Sequence, residues 1–149
     1  MTGRVFIDSN ILIYANDRSE SDKQLAAQQL LDGVVASRAG VISTQVLGEF
    51  FNGVTRKIAA PLTLNEASEL VALFIQSFRV VDLTPLVVLD AVRGVRDHQL
   101  SYWDALIWAS ARLNQVPVIF SEDFSSNVIF EGVRLVNPFA PDFQLAAWL

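Results

Sequence analysis

Short apolar runs alternate along this chain with longer amphipathic segments, and this alternation predicts most of its secondary structure. The apolar runs predict five short strands at Val5–Ile7, Gly40–Ser43, Val80–Leu83, Val118–Ser121 and Val133–Val136. Apolar residues spaced three and four positions apart predict the helices between them. Strands that alternate with helices form a parallel sheet with helices on both faces, so we expect an α/β fold.

Polar residues mark where several helices begin. Thr63-Leu64-Asn65-Glu66 is a capping box, Thr84-Pro85 places a cap before a proline, and Ser101 opens a further helix. We expect the long helices at Ser21–Ser37, Thr44–Lys57, Thr63–Ser77, Thr84–His98 and Ser101–Leu113. The apolar stripe of the first helix consists of Leu25, Leu30, Leu31, Val34 and Val35.

The length of 149 residues, without repeats or linker-like stretches, predicts one domain comprising residues 1–149. Apolar residues of the last segment, Phe143 to Leu149, predict a terminal helix docked on the core, with a place in a dimer interface as the alternative. No apolar run approaches the ~20 residues of a membrane span, and the N-terminus has no signal-peptide pattern. We therefore expect a cytoplasmic protein without membrane contact.

Composition restricts the kinds of metal site and partner. The chain has no cysteine and one histidine, His98, which excludes disulfides, cysteine nucleophiles and multi-histidine zinc sites. A bound metal would need oxygen ligands, which favours Mg²⁺ or Mn²⁺. The net charge of −5 opposes broad nucleic-acid binding, although metal ions held by acidic residues would attract phosphate.

Asp8 is the first candidate for chemistry because it directly follows the first predicted strand. Ligands of open α/β sheets bind beyond the carboxyl ends of the strands. Ser9 and Asn10 come next, followed by the helical run Ile11–Tyr14. Asp8 is equally suited to cap that helix, and the two roles are compatible because a helix begins where the chain turns.

Glu49 is the second candidate. At helical spacing it shares one face with Gln45, Asn52 and Arg56, and this face is either an ordinary solvated surface or part of a site. Gly48 is costly inside a helix, which indicates that another group approaches closely there.

Asp104 and Asp123 complete the set of candidates. Asp104 stands in the first turn of an almost entirely apolar helix, where it either caps the helix or binds a ligand. Asp123 follows the fourth predicted strand, where a polar turn is the alternative and Glu122 competes as the acid that points inward. The strand ends and helix starts that carry these acids are expected at the same edge of the sheet.

Four acids at one edge would need bound cations. Two carboxylates ~4 Å apart repel by about 4 kcal/mol at an effective dielectric near 20, so cations or protons must neutralise them. Two divalent ions ~3.5–4 Å apart would clamp the attacking and leaving oxygens of phosphodiester cleavage. The sequence therefore favours metal-dependent hydrolysis of phosphodiester bonds.

Four segments in this order resemble the PIN domain, specifically the VapC-like ribonuclease toxins of type II toxin–antitoxin modules. They are Phe6-Ile7-Asp8-Ser9-Asn10, Val46-Leu47-Gly48-Glu49-Phe50, Leu100-Ser101-Tyr102-Trp103-Asp104-Ala105-Leu106-Ile107 and Ser121-Glu122-Asp123-Phe124. The resemblance implies a three-layer α/β/α sandwich with a central parallel sheet and Mg²⁺- or Mn²⁺-dependent endoribonuclease activity. The positions that match the family's catalytic and metal-binding acids are Asp8, Glu49, Asp104 and Asp123, and those that match its supporting polar residues are Ser9, Asn10 and Ser121. Among the acids, we expect Asp8, Asp104 and Glu49 to be the principal metal ligands and Asp123 to support a second ion or its waters.

The same resemblance implies partners. Such toxins cut structured RNA, often tRNA, form homodimers and are inhibited by a cognate antitoxin that covers the active site. Candidates for the RNA path are the sparse basic residues Arg18, Lys23, Arg56, Lys57, Arg93 and Arg96. The main alternative is a non-catalytic PIN-like binding module. A receiver domain is disfavoured because the only lysines, Lys23 and Lys57, lie early in the chain, and the P-loop signature is absent.

Overall fold

The structure, a computed structural model, describes residues 3–124 and 127–149. Its strands are β1 (Val5–Ile7), β2 (Gly40–Ser43), β3 (Arg79–Val81), β4 (Val118–Phe120), β5 (Val128–Phe130) and β6 (Val133–Val136). Its helices are α1 (Ser9–Tyr14), α2 (Ser21–Ser37), α3 (Thr44–Arg56), α4 (Leu64–Ser77), α5 (Pro85–His98) and α6 (Tyr102–Leu113), followed by a 3₁₀ turn at Leu145–Ala147.

The strands form one sheet in the order β3-β2-β1-β4-β6-β5. Every pairing is parallel except that between β5 and β6, so the sheet is mixed and the expected α/β fold is confirmed. The centre of the sheet is parallel, as predicted, and the antiparallel pair lies at one edge. The sequence analysis did not predict strand β5, although its residues, Val-Ile-Phe, repeat those of β4. Unlike β4, it lies at the edge of the sheet, and Ile129 is half exposed.

A tight turn explains why β5 pairs antiparallel. Glu131 and Gly132 connect β5 to β6, and both have positive φ, at 51° and 82°. Two consecutive residues with positive φ match the twist of a two-residue hairpin. The strand pair therefore closes through its shortest connection, with Val128 opposite Leu135 and Phe130 opposite Val133.

The predicted helix starts are confirmed at their caps. Thr63 and Glu66 form the capping box of α4, Thr84 caps α5, and Ser101 caps α6 through the backbone N–H of Asp104. These starts were predictable because each cap links residues only three positions apart.

Two packing predictions were wrong in part. In α2, Leu25 is 57% exposed and Val35 is 37% exposed, so the buried stripe is narrower than predicted. Its buried members are Ala27, Leu30, Leu31 and Val34. At Gly48 in α3, no other segment of the described chain comes within 4 Å of the position that a Cβ would take, so the predicted close approach does not occur within the described residues.

The last segment packs on the core without forming an α-helix. Phe143, Leu145, Trp148 and Leu149 contact the core, as predicted, but the helical part is a single 3₁₀ turn. The Phe143 and Trp148 rings contact Phe120 of β4 edge-on, at centroid distances of 5.3 and 6.4 Å. None of the helices within residues 3–124 and 127–149 has the length and hydropathy of a membrane span.

The centre of the sheet determines where polar side chains gather. β1 is buried throughout and lies between β2 and β4, so the chain leaves the core at Asp8 and at Ser121, next to each other. The backbone N–H of Asp8 donates to the Phe120 carbonyl at 3.1 Å, which continues the strand pairing to the edge of the sheet.

Close packing of α5 on α6 yields a stability prediction. A methyl group on Gly94 would lie 2.8 Å from Cζ3 of Trp108, a fully buried side chain. We expect Gly94→Ala to lower the free energy of unfolding by about 1–3 kcal/mol through overpacking, although alanine gains about 1 kcal/mol in a helix. Urea denaturation monitored by circular dichroism measures the change.

Gly48→Ala is the matched control, because the same substitution there meets open space. It should stabilise the protein by up to about 1 kcal/mol through helix propensity alone. Equal effects of the two substitutions would contradict the predicted contact between Gly94 and Trp108.

Candidate active site

Asp8 is held at the carboxyl end of β1 by hydrogen bonds to both carboxylate oxygens. It caps α1 by accepting from the backbone N–H of Ser9 at 2.7 Å. Its second oxygen accepts from the Ser121 hydroxyl at 2.7 Å. The residue is only 3% exposed, so capping and a position inside a site coincide in the same side chain.

Ser121 links the elements around Asp8. Its fully buried hydroxyl accepts from the Asn10 side chain at 3.1 Å and from the backbone N–H of Asp123 at 3.2 Å. The side-chain amide oxygen of Asn10 in turn accepts a hydrogen bond from the backbone N–H of Glu122 at 3.4 Å. These bonds fix the turn after β4 against the start of α1 and orient the Asp8 carboxylate.

Asp104 and Asp123 join Asp8 in one group, which we call the acid cluster (Asp8, Asp104 and Asp123). One carboxylate oxygen from each residue lies within 4.8 Å of the other two. The cluster grades from buried Asp8 through half-buried Asp104 to exposed Asp123. It is therefore anchored in the core and open to solvent on one side.

Glu49 lies at the margin of the acid cluster. The Ser9 hydroxyl donates to Glu49 at 3.1 Å and lies 3.4 Å from Asp8, so one serine connects the two carboxylates. The Gln45 side chain donates to Glu49 at 3.4 Å and to the Trp103 carbonyl, which precedes Asp104, at 3.3 Å. Glu49 is not a member of the three-residue group.

Glu122 is not a member of the acid cluster and forms its side-chain contacts with other residues. Both of its carboxylate oxygens accept from the Lys23 ammonium group, at 2.8 and 2.9 Å, and one also accepts from the Tyr14 hydroxyl at 3.2 Å. Between the two neighbouring acids that competed in the sequence, the structure places Asp123 in the cluster. The interaction of Lys23 with Glu122 had no sequence signal, because the two residues are 99 positions apart.

Burial changes the charge state of the cluster. It is the main cause that raises the pKa of Asp8 from 3.8 to about 7, against the opposing hydrogen bonds from Ser121 and Ser9. The negative charges of Glu49 and Asp123 raise it further. Burial also raises the pKa of Asp104, and the charge of Asp123 adds to this effect.

The donor set of the acid cluster fits a divalent cation. Its three carboxylates offer only oxygen, the ligand that Mg²⁺ and Mn²⁺ prefer, and mutual repulsion is what a cation would relieve. Because the pKa of Asp8 is raised to about 7, its carboxyl group is partly protonated near neutral pH without a cation, and the proton relieves some of this repulsion.

The protein is an open-sheet α/β protein, and its carboxylate cluster lies beyond the ends of the central strands, where ligand sites of this class are generally found. Within that class, the chain belongs to the PIN domain family, which matches residues 5–126. The resemblance inferred from the four motifs is thereby confirmed.

Solved structures share this fold. A toxin–antitoxin complex from Klebsiella pneumoniae is similar with a TM-score of 0.66 and 18% identity, over 91% of this chain and 98% of that one. VapC20 from Mycobacterium tuberculosis, a toxin that cleaves the sarcin-ricin loop, has a TM-score of 0.65 and 21% identity, over 87% of this chain and 98% of VapC20. DNA-bound VapBC from Salmonella typhimurium has a TM-score of 0.63 and 16% identity, over 90% of this chain and 97% of the matched chain. No curated protein sequence matches the chain.

The buried carboxyl group of Asp8 predicts a pH dependence of stability in the metal-free protein. Because its pKa is about 7 in the folded state, against 3.8 for an ordinary solvated aspartate, the folded state binds the extra proton. Protonation of Asp8 in the folded state therefore contributes to the free energy of unfolding. This contribution is complete below pH 3.8 and is lost as the pH rises to about 7. The shift corresponds to at most about 4 kcal/mol.

Urea denaturation in EDTA at a series of pH values isolates this contribution when Asp8→Asn is measured in parallel. The stability of wild type relative to the variant should fall from pH 4 to pH 7, and Mg²⁺ should reverse the fall in wild type alone. Parallel pH profiles of the two proteins would contradict the assignment.

Proposed function

We propose that this protein is a metal-dependent endoribonuclease, the toxin of a toxin–antitoxin pair, and that residues 1–149 form one domain. The observation that carries the proposal is the convergence of Asp8, Asp104 and Asp123 within 4.8 Å at the edge of the sheet of a PIN domain. The one continuous core supports the single domain. We place the protein in the cytoplasm, where RNA substrates reside.

The acid cluster would hold the cation, Mg²⁺ or Mn²⁺, with Glu49 as a further ligand through its position beside Asp8. The cation would supply activation of water and neutralisation of charge on the phosphodiester. Ser121 and Ser9 orient the Asp8 carboxylate, and Asn10 holds Ser121 in place. Asp123 is the exposed member of the cluster, so substrate would reach the cluster from the side on which Asp123 lies.

RNA binding by a protein of net charge −5 needs local positive charge. Three of the six basic candidates are engaged elsewhere: Lys23 pairs with Glu122, Arg93 with Asp90 and Glu131, and Arg96 with Asp97. Arg18, Arg56 and Lys57 are exposed and form no ion pair within the described residues. We assign the phosphate contacts to these three side chains.

A groove between α2 and α4 suits the antitoxin. It has a volume of about 550 Å³, and its apolar lining includes Leu31, Val35, Leu70, Leu73 and Phe78. Helical or extended peptide segments bind such grooves through their apolar side chains. The similarity to VapBC complexes supports a protein partner of this kind.

The exposed apolar residues of α5 support a homodimer. Leu86 and Leu89 are each 67% exposed and Val92 is 56% exposed, at three-residue spacing along one helix. Contiguous exposed apolar side chains on a globular protein mark an interaction surface. A second copy of this chain would cover the face isologously.

Asp104→Asn tests the enzymatic function. An amide binds Mg²⁺ far more weakly than a carboxylate does. Loss of a residue that only supports a metal ligand lowers metal affinity or activity ~10–100-fold, and loss of a ligand itself should lower them further. We therefore expect cleavage of a structured RNA pool in Mg²⁺ or Mn²⁺ to fall at least about 100-fold, and to stop in EDTA. The rate is measured on purified, antitoxin-free protein.

Asp22→Asn is the matched control, because Asp22 also lies in the first turn of a helix but is exposed and outside the cluster. It should cleave at the wild-type rate. Equal cleavage by Asp104→Asn and wild type would refute the site, whereas no cleavage by folded wild type would favour a non-catalytic PIN-like binding module.

The homodimer is tested by Leu89→Glu, which places a charge at the centre of the exposed α5 face. Sedimentation equilibrium should show a dimer for wild type and a monomer for the variant. Leu64→Glu on α4 is the control, because Leu64 has the same 67% exposure and lies on another helix, and it should leave the dimer intact. A wild-type monomer at micromolar concentration would contradict the proposal.

A further inference from the structure

A pocket adjoins the acid cluster on the side of the β5–β6 hairpin. Its volume is about 260 Å³, and Asp104 and Asp123, two of the three cluster residues, form one of its walls. A group that occupies this pocket would therefore lie next to whatever the acid cluster binds. None of the roles assigned above uses this pocket.

The interior of the pocket is apolar and its opening is polar. The apolar side chains that line it are Leu100, Phe124, Val128, Phe130 and Leu135. Phe124 and Leu135 are buried, so they form the deep part of the pocket. Gln99 and Ser101, both exposed, stand at its rim beside the two carboxylates. The pocket thus suits a flat group with apolar faces and a hydrogen-bonding edge.

The wall formed by the hairpin is held in place by contacts outside the pocket. Glu131, in the turn after β5, accepts one hydrogen bond from Arg93 and contacts His98 of α5, each at 2.7 Å. The His98 ring lies 4.6 Å from the Phe130 ring, and the Trp108 indole N–H donates to the Phe130 carbonyl at 3.1 Å. A ligand would meet a preformed wall, which lowers the ordering cost of binding.

We propose that this pocket binds one unpaired nucleobase of the RNA, adjacent to the phosphate that the acid cluster engages. The proposal deepens, and rests on, the ribonuclease function proposed above. Proteins recognise single-stranded RNA by taking splayed-out bases onto aromatic and apolar side chains and pairing their polar edges. The volume lies just below the ~300–1,000 Å³ of drug-sized pockets, so it suits one base without its sugar and phosphate.

Val128→Phe tests the pocket by filling it. Val128 and Phe130 line the pocket, whereas Ile129, between them on β5, is 50% exposed and does not line it. Alternate residues of a strand point to opposite faces. Ile129→Phe is therefore a control with the same new side chain on the same strand, directed away from the pocket. Circular dichroism and thermal unfolding establish that both variants are folded.

The first measurement is cleavage of the structured RNA pool with randomised loop sequences, in which the bases are unpaired, and the ends of the products are sequenced. Wild type and Ile129→Phe should share a base preference at one position beside the cut. Val128→Phe should lose that preference, and its kcat/KM should fall about fivefold or more, as expected when one stacked base is lost. No base preference in wild type, or the same preference in Val128→Phe, would overturn the proposal.

The second measurement separates the pocket from catalysis. The four ribonucleosides, which carry no phosphate, are titrated to millimolar concentration into ¹⁵N-labelled wild type. At least one should shift the backbone amides of residues 99–101 and 128–130 in wild type and in Ile129→Phe, but not in Val128→Phe. Absence of these shifts in wild type, or their persistence in Val128→Phe, would overturn the nucleobase assignment. If wild type cleaves no RNA yet shows the shifts, the ribonuclease function fails and the pocket stands.

Discussion

Burial of the Asp8 carboxylate is the constraint on which the candidate site depends. The carboxylate lies at the end of the fully buried strand β1 and is 3% exposed, which raises its pKa to about 7. The hydrogen bonds from Ser9 and Ser121 keep it in place but do not offset the loss of hydration. A cation bound by Asp8, Asp104 and Asp123 would compensate for this lost hydration. The burial that makes an ionised Asp8 unfavourable in the metal-free protein would therefore also favour binding of a cation.

The layout of the sheet produces this arrangement with few residues. β1 and β4 are neighbours, so the turns that follow them bring Asp8 and Ser121 together across 113 positions of sequence. The Ser101 cap sets the start of α6 and thereby the position of Asp104. The carboxylates come from separate elements, and each is placed by backbone structure rather than by long flexible side chains. A site built in this way loses little conformational entropy when a ligand binds.

The surfaces around the site differ in polarity, and each suits a different kind of proposed partner. The apolar α2–α4 groove and the exposed face of α5 suit protein partners, because apolar contacts are the main source of association energy. The pocket beside Asp104 and Asp123 combines apolar walls with a polar rim, as a nucleobase requires. Positive charge is sparse and much of it is paired, so bound cations would carry a large part of the attraction for phosphate.

Features that depend on local contacts could be predicted from the amino-acid sequence alone. Five of the six strands within residues 3–124 and 127–149, the helix starts at Thr63, Thr84 and Ser101, and the four motifs of the PIN domain all rest on residues close together in the chain. Three features emerged only from the folded chain: the antiparallel pairing of β5, the placement of Glu49 outside the three-residue cluster, and the presence of Asp123 rather than Glu122 in that cluster. Each depends on contacts between distant segments, as when Lys23 binds Glu122 from 99 positions away and leaves Asp123 to join Asp8. Hydrophobic periodicity and capping patterns carry no information about such pairs, because they describe how a segment folds and not which distant segment it meets.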